Sequence, residues 1–404
     1  MTRLADQQWL EAASTVAVLD ALAAAGGEGR FVGGCVRDAL IGRPVADIDI
    51  ATPMRPGEVL AAVEAAGLKA VPTGIEHGTV TVVSGGRPHE VTTLRRDVST
   101  DGRRATVAFT DDWAEDAARR DFRLNALYAD RTGLVLDPTG QGAADALEGR
   151  IIFVGEPEQR IREDYLRILR FFRFTAWFGR EEADRAALAA CAALRDGIAQ
   201  LSAERISAEL LKLLAAPNPR RAFHLMADTG VVFEVLPWMD SPALFLPMIG
   251  IDRDPVLRLS SLLPADPETV RQAADALRLS NAQKTRLLAA LQDETAVDLD
   301  MSPAAARAAL YRIGRQAFRD RISRAWAADL SAGDRAEALL ALADGWQRPE
   351  FPISGADLKA VGLTSGPRMG RVLTELEAWW VAEDFPDVGL EGRLATLLAE
   401  GDDT

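Results

Sequence analysis

Cysteine and histidine are scarce in this chain. Its 404 residues include two cysteines, Cys35 and Cys191, and three histidines, His77, His89 and His224. Neither set has metal-ligand spacing, so a zinc cluster and a disulfide framework are both excluded, and any catalytic metal must be held by carboxylates. No stretch approaches the ~18 consecutive apolar residues of a membrane-spanning helix, and Met1–Asp20 shows no basic head leading into an apolar core and a small-residue cleavage site. The expected compartment is therefore the cytoplasm. Positive charge is also in deficit: 46 Lys and Arg face 60 Asp and Glu, a formal net charge of −14. This balance argues against nonspecific coating of nucleic acid, which needs clustered cations, but it leaves room for a local basic groove. Fixed-period repeats and low-complexity tracts are absent, although Ala186–Leu194 is alanine-rich.

What is present is the composition of a globular chain, 48% hydrophobic and 26% charged, at a length that predicts two or more domains. From Gly29 to Asp137, short strand-like runs (Arg30–Val32, Ile48–Ala51, Thr79–Val83, Glu90–Leu94) alternate with helical stretches. After Ile151 the strand signals thin out, and Ala, Leu and Arg recur at helical spacing with breaks at Ala216–Pro219, Leu236–Pro237, Ser302–Pro303 and Pro349–Pro352. The fold class is thus α+β: a mixed head followed by an all-helical remainder.

The densest chemistry lies in Phe31-Val-Gly-Gly-Cys-Val-Arg-Asp38, where a strand runs into a glycine turn and then a helix. Gly33 and Gly34 would let the backbone approach a phosphate, the new helix would point free N–H groups at it, and Arg37 could pair with it. Asp47-Ile-Asp49 follows. Buried Ile48 and Ile50 would turn both carboxylates to one face of a strand, where they can share hard divalent cations such as Mg²⁺, as two-metal nucleotidyl transfer requires. A third acid is needed, and Glu90, opening a later strand, is the candidate. Taken singly, a Gly-Gly pair is a turn and an Asp-x-Asp a solvated strand end; together they favour the functional reading.

These residues resemble the nucleotidyltransferases of the DNA polymerase β superfamily, and more narrowly the class II tRNA nucleotidyltransferases and bacterial poly(A) polymerases. Arg119-Arg-Asp-Phe-Arg-Leu-Asn-Ala126 is similar to that family's Arg-Arg-Asp block, and Glu163-Asp-Tyr-Leu-Arg-Ile-Leu-Arg170 to its nucleobase-reading helix. Val91–Arg104 resembles its mobile loop, particularly in CCA-adding enzymes of the mitochondrial kind. Ser354-Gly-Ala-Asp-Leu, with Gly362, Gly366-Pro and Gly370, is similar to the tail of the same class. The resemblance is dense over 30–174 and thin beyond. It implies a polymerase-β-like head (1–148), a neck carrying the base-reading helices (149–220), a helical body (221–330) and a helical tail that grips tRNA (331–404). It also implies that Arg120, Arg170 and Arg173 contribute to nucleotide binding, and that Asp121 and Asn125 orient the ribose or the metal site. No His-Asp dipeptide occurs, so the metal-dependent phosphohydrolase domain of some relatives is not expected.

The presumptive reading helix also has a direct physical interpretation. Tyr165, Leu169, Phe172 and Ala176 form one apolar seam, while Asp164, Arg167, Arg170 and Arg173 form an i+3 row expected to face a cleft. Asp164 offers only acceptors and Arg167 only donors. Cytosine and adenine each present an exocyclic amino donor beside a ring-nitrogen acceptor, so the pair accepts both. Uracil and guanine present the reverse, and unpaired polar groups costing ~1–3 kcal/mol each would reject them. On a solvated surface the same spacing would be a salt-bridge ladder; three arginines in register with aromatic backing favour the cleft.

The expected activity is addition of C, C and A to the tRNA 3′ end from CTP and ATP, with tRNA as partner and Mg²⁺ as cofactor. A poly(A) polymerase, an enzyme adding only the terminal A, and an inactive RNA-binding scaffold remain alternatives. Arg95–Arg104, with four arginines around Ser99, Thr100 and Gly102 and no apolar stripe, is expected to be a mobile lid or lever. Cys35, Trp379 and Trp380 are expected to be packing residues.

Overall fold

The structure is a computed structural model describing residues 2–4, 7–101, 104–291 and 295–400. The chain divides into two compact units, Met1–Pro237 and Trp238–Thr404.

The first unit is built on a seven-stranded sheet. Its strands are β1 (Arg30–Val32), β2 (Asp49–Thr52), β3 (Lys69–Gly74), β4 (Thr79–Ser84), β5 (Arg87–Thr93), β8 (Tyr128–Ala129) and β9 (Val135–Leu136), in the order β3-β4-β5-β2-β1-β8-β9. The β2–β5 pair is parallel and the other pairings are antiparallel. Along β4, Val80 and Val82 are buried while Thr79, Thr81 and Val83 are half-buried, the period-two pattern of a sheet with one covered face. Two further strands, β6 (Arg95–Asp101) and β7 (Arg104–Phe109), pair with each other as a separate antiparallel ribbon. Gly102 and Arg103 lie outside the described residues.

Five short helices position the chemistry: α1 (Gly34–Leu40), α2 (Trp113–Ala118), α3 (Pro157–Glu163), α4 (Leu166–Phe178) and α5 (Ala203–Leu214). Asp112 starts α2 by accepting from the Ala114 N–H at 2.8 Å, and Pro157 occupies the first turn of α3, where no amide partner is needed. A phenylalanine cluster ties α4 to the strand region, with ring centroids of Phe122 and Phe153 4.9 Å apart and those of Phe122 and Phe174 5.1 Å apart.

The described part of the second unit is helical. Its longest helix, Pro303–Ala328, is broken at Gly314, whose φ of 79° is open mainly to glycine. One core gathers Leu310, Phe318, Ile322 and Leu339. Another gathers Tyr311, Leu376, Trp380 and Leu394, with Trp379 packed beside it, so the tryptophan pair is core, as expected.

Candidate active site

The glycine turn forms as anticipated. Gly33 adopts φ 71°, ψ −116°, a conformation that L side chains avoid, and the turn leads from β1 directly into α1. Its N–H is already committed to the Leu127 carbonyl at 2.9 Å, so the amides available to a phosphate begin at Gly34. A Cβ on Gly33 would lie 3.5 Å from Nη1 of Arg120, and one on Gly34 3.8 Å from Nη2 of Arg37: both glycines leave room beside a guanidinium.

The parallel pairing brings two of the three acids together. Asp49 opens β2 and stands directly opposite Glu90 of β5 in the register, which puts both side chains on one face about 4.8 Å apart across the strands. Asp47 sits two residues before Asp49, just ahead of the strand, and Ile48 and Ile50 are buried between and behind them. Glu90 lies within β5, which starts at Arg87, so it does not open the strand as the sequence suggested. Burial, then the charges of Glu90 and Asp47, push the Asp49 carboxyl up to about 6, with Arg120 opposing them. A site that raises a carboxyl in this way is short of positive charge. The donor set is all hard oxygen, which suits a divalent cation of the Mg²⁺ or Ca²⁺ type. Among the described residues no group of three or more His, Cys, Asp or Glu side chains is placed to hold a metal ion together. An open set of this kind leaves coordination positions for substrate phosphate oxygens, the usual mode for Mg²⁺.

Arg120 is fixed from behind. Its Nη2 donates to Oδ2 of Asp116 at 2.9 Å, an oxygen that also accepts from the Tyr128 hydroxyl at 2.6 Å, while Oδ1 of Asp116 accepts from Nε of Arg119 at 2.9 Å. Asp116 is 1% exposed. Burial alone would raise its carboxyl; Arg120, Arg119 and Tyr128 reverse this and hold it at about 2. Asp116 also accepts from the Arg95 amide at 3.2 Å, and Arg119 donates to the Arg95 carbonyl at 3.0 Å, clamping the root of the β6–β7 ribbon.

Arg37 is buried and donates to Oδ1 of Asn125 at 2.6 Å and to both oxygens of Asp38, with its guanidinium 4.1 Å from the Phe178 ring centroid. One N–H on each terminal nitrogen remains for a phosphate. Asn125 in turn donates to Asp121 at 3.0 Å, and Asp121 accepts from Nε of Arg170 at 2.8 Å. Burial opposes the Asp121 charge, but Arg170 and these hydrogen bonds hold its carboxyl below the usual range. Arg173 pairs with Glu209 of α5 at 2.5 Å.

The segment expected to read the base differs from its expected form. It is not one helix: α3 ends at Glu163, Asp164 is extended (φ −159°, ψ 107°), and α4 starts after Tyr165. Asp164 is therefore off the helical row. Residue 197 explains part of the break, because a Cβ there would collide with the Tyr165 ring at 2.1 Å, so Gly197 is what lets Tyr165 turn inward. The buried face of α4 is also broader than the anticipated seam and includes Ile168, Phe171 and Thr175. Asp164 and Arg167 do not pair with each other. Arg167 donates to Glu163 at 2.5 Å, to the Arg160 carbonyl at 2.8 Å and to the Arg119 carbonyl at 3.2 Å; Asp164 accepts from Arg205 of α5 at 2.6 Å. Arg167, Arg170 and Arg173 thus find counter-charges on other elements, whereas Arg160 and Arg162 pair within α3.

Residues 29–152 match the poly A polymerase head domain, and 183–241 match the probable RNA and SrmB-binding site of polymerase A. The mitochondrial CCA tRNA nucleotidyltransferase 1 of Mus musculus is 33% identical over 367 residues, covering 87% of this chain and 82% of that one. The CCA-adding enzyme of Streptococcus gordonii is 34% identical over 386 residues, covering 89% and 90%. Among solved structures, the Bacillus stearothermophilus CCA-adding enzyme in complex with CTP superposes with a TM-score of 0.74 at 26% identity, covering 96% of this chain and 97% of that one. This chain belongs to the CCA tRNA nucleotidyltransferase family. Like other members it is a metal-dependent nucleotidyltransferase with a mixed head and a helical remainder.

Sequence reasoning missed four residues that set up this nucleotidyltransferase site: Asp116, Tyr128, Arg205 and Glu209. Asp116 had a local signal, standing three and four residues before Arg119 and Arg120 on one helical face. Arg205 and Glu209 had none, since their partners lie 36 or more residues away in sequence. His77, His89 and His224 supply nothing here; His89 is buried against Thr15. Cys35 is buried with its thiol pushed up to about 11 by desolvation, which makes it a packing residue.

Proposed function

We propose that this chain adds C, C and A to the 3′ end of tRNA, taking CTP and ATP and releasing pyrophosphate, without a nucleic-acid template. The observation that carries the reading is the register pairing of Asp49 with Glu90, with Asp47 beside them and the glycine turn and Arg120 close by. Asp47 and Asp49 would hold Mg²⁺, with Glu90 completing the acidic set. Bound there, the cation would lower the pKa of the terminal ribose hydroxyl and neutralise the triphosphate.

In the reaction the 3′-hydroxyl oxygen bonds to the α-phosphorus as the bond to the pyrophosphate bridging oxygen breaks. Gly33 and Gly34 give the triphosphate access to the backbone, and Arg37 and Arg120 donate to it. Arg170 and Arg173 add positive charge, while Asp121 and Asn125 orient the ribose. Asp164 and Arg167 read the base. The division into head (1–148), neck (149–220), body (221–330) and tail (331–404) assigns chemistry to the first two and the tRNA grip, by shape and phosphate contacts, to the last two. Among the described residues no helix is long and apolar enough to cross a membrane, and we place the activity in the cytoplasm.

The test is incubation of the purified protein with tRNA lacking its 3′ end, with the nucleotides supplied separately. CTP alone should extend the tRNA by two residues, and ATP should then add one. Extension by ATP alone, or a long homopolymer, would instead indicate an A-adding enzyme or a poly(A) polymerase.

A further inference from the structure

The two base-reading side chains are held very differently. Arg167 is pinned by three acceptors on three residues, Glu163, Arg160 and Arg119. Asp164 sits in the extended link between α3 and α4, where no helix packing fixes its side chain. Its Oδ1 takes only the local Leu166 N–H at 3.1 Å, and its Oδ2 takes Nη2 of Arg205 at 2.6 Å. Arg205 comes from α5, 41 residues away, and its side chain is 32% exposed. It is the long-range contact that determines where the Asp164 carboxylate points.

We propose that Arg205 is a specificity-determining positioning residue that enforces rejection of uracil and guanine by fixing the orientation of Asp164. The inference rests on the reading of Asp164 as a base reader. A carboxylate oxygen carries two lone pairs, so Oδ2 can keep Arg205 on one and accept an exocyclic amino proton on the other. With the carboxylate held, the carbonyl oxygen of uracil or guanine meets an acceptor that cannot turn away, and the mismatch is paid in full. Without Arg205 the side chain can rotate out of the extended link and the repulsion is relieved. Correct bases lose one aligned hydrogen bond; wrong bases lose the penalty that excluded them. The guanidinium is also suited to the task because it stays charged and approaches a carboxylate in fixed geometry.

The test compares kcat/KM for CTP, ATP, UTP and GTP in the full-length wild type, Arg205→Met, Arg205→Lys, Asp164→Ala and the Asp164→Ala/Arg205→Met double variant. Arg205→Met keeps an apolar stem while removing the donors, and thermal melting confirms that each variant folds. Selectivity for CTP over UTP should fall on the order of tenfold in Arg205→Met, the equivalent of one net hydrogen bond, with KM for CTP changed less than the wrong-base ratio. Arg205→Lys should restore most of the selectivity. In the double variant the second change should add no further loss of selectivity, because both act through one carboxylate. If Asp164→Ala relaxes selectivity while Arg205→Met lowers all four nucleotides equally, Arg205 is only structural and the proposal is overturned. If Asp164→Ala itself leaves selectivity intact, the base-reader assignment fails, and the proposal with it. Should Arg205→Met not fold, Arg205→Lys decides: a melting temperature near wild type with wild-type selectivity supports the positioning role, and relaxed selectivity there overturns the claim that a cation at this place suffices.

Discussion

Two aspartates that both feel the charge of Arg120 have opposite electrostatics, and each leads to a pH-dependent outcome. Asp49 is raised to about 6 by burial and by Glu90 and Asp47. The folded state therefore binds its proton more tightly than the unfolded chain; its contribution to stability is full below about 4 and is lost between about 4 and 6. Divalent-cation affinity of the metal-free protein should accordingly fall about tenfold per pH unit below 6, measurable by calorimetric titration between pH 5 and 7.5. In Asp49→Asn that pH dependence should disappear along with turnover; near-normal incorporation of CTP by the variant would refute the metal assignment. Asp116 behaves in the reverse sense. Held at about 2 by Arg119, Arg120 and Tyr128 against its burial, it contributes stability above about 4 that is lost as pH falls toward 2. Asp116→Ala strands two half-buried guanidiniums and the Tyr128 hydroxyl, and we expect it to cost roughly 3–5 kcal/mol in urea unfolding at neutral pH. A loss below 1 kcal/mol would mean that Asp116 is not the hub its contacts describe.

The β6–β7 ribbon is tied at its root to Asp116 and Arg119. Its backbone is paired from the Arg95–Phe109 end to Asp101–Arg104, and its root is held at the Arg95 amide and carbonyl by Asp116 and Arg119. Those two residues also border the site: Asp116 braces Arg120, and the Arg119 carbonyl receives Arg167. A displacement of the ribbon therefore has a short physical route to both Arg120 and Arg167. One pocket that serves a pyrimidine and then a larger purine needs such an adjustment. Shortening Thr100–Arg103 should leave CTP addition within about threefold of wild type and reduce ATP addition at least tenfold, a contrast typical of a lost conformational step. Equal loss of both would indicate a folding or RNA-binding defect, and no loss would make the segment a surface turn.

At the scale of the whole molecule, the chain separates an α+β unit that carries all the candidate site residues from a helical unit that carries none of them. Much of this was legible without coordinates. Apolar alternation around Ile48 and Ile50 dictates which face of the strand carries Asp49, because a strand has a period of two. The Gly33-Gly34 turn follows from local steric freedom, and the helical character after Ile151 from spacing alone. What the sequence could not decide is everything that depends on a partner far along the chain. That Asp49 faces Glu90 is a matter of strand order, since β2 and β5 are joined only through the intervening β3 and β4. That Asp164 leaves the helix depends on Tyr165 packing against Gly197, and that it meets Arg205 depends on where α5 comes to rest. Local preferences act over a few residues and can be read in one dimension. Register across a sheet and charge pairing between helices are settled only when burial of the apolar faces brings distant segments together, and that is where the facing of Asp49 and Glu90 and the pairing of Asp164 with Arg205 were determined.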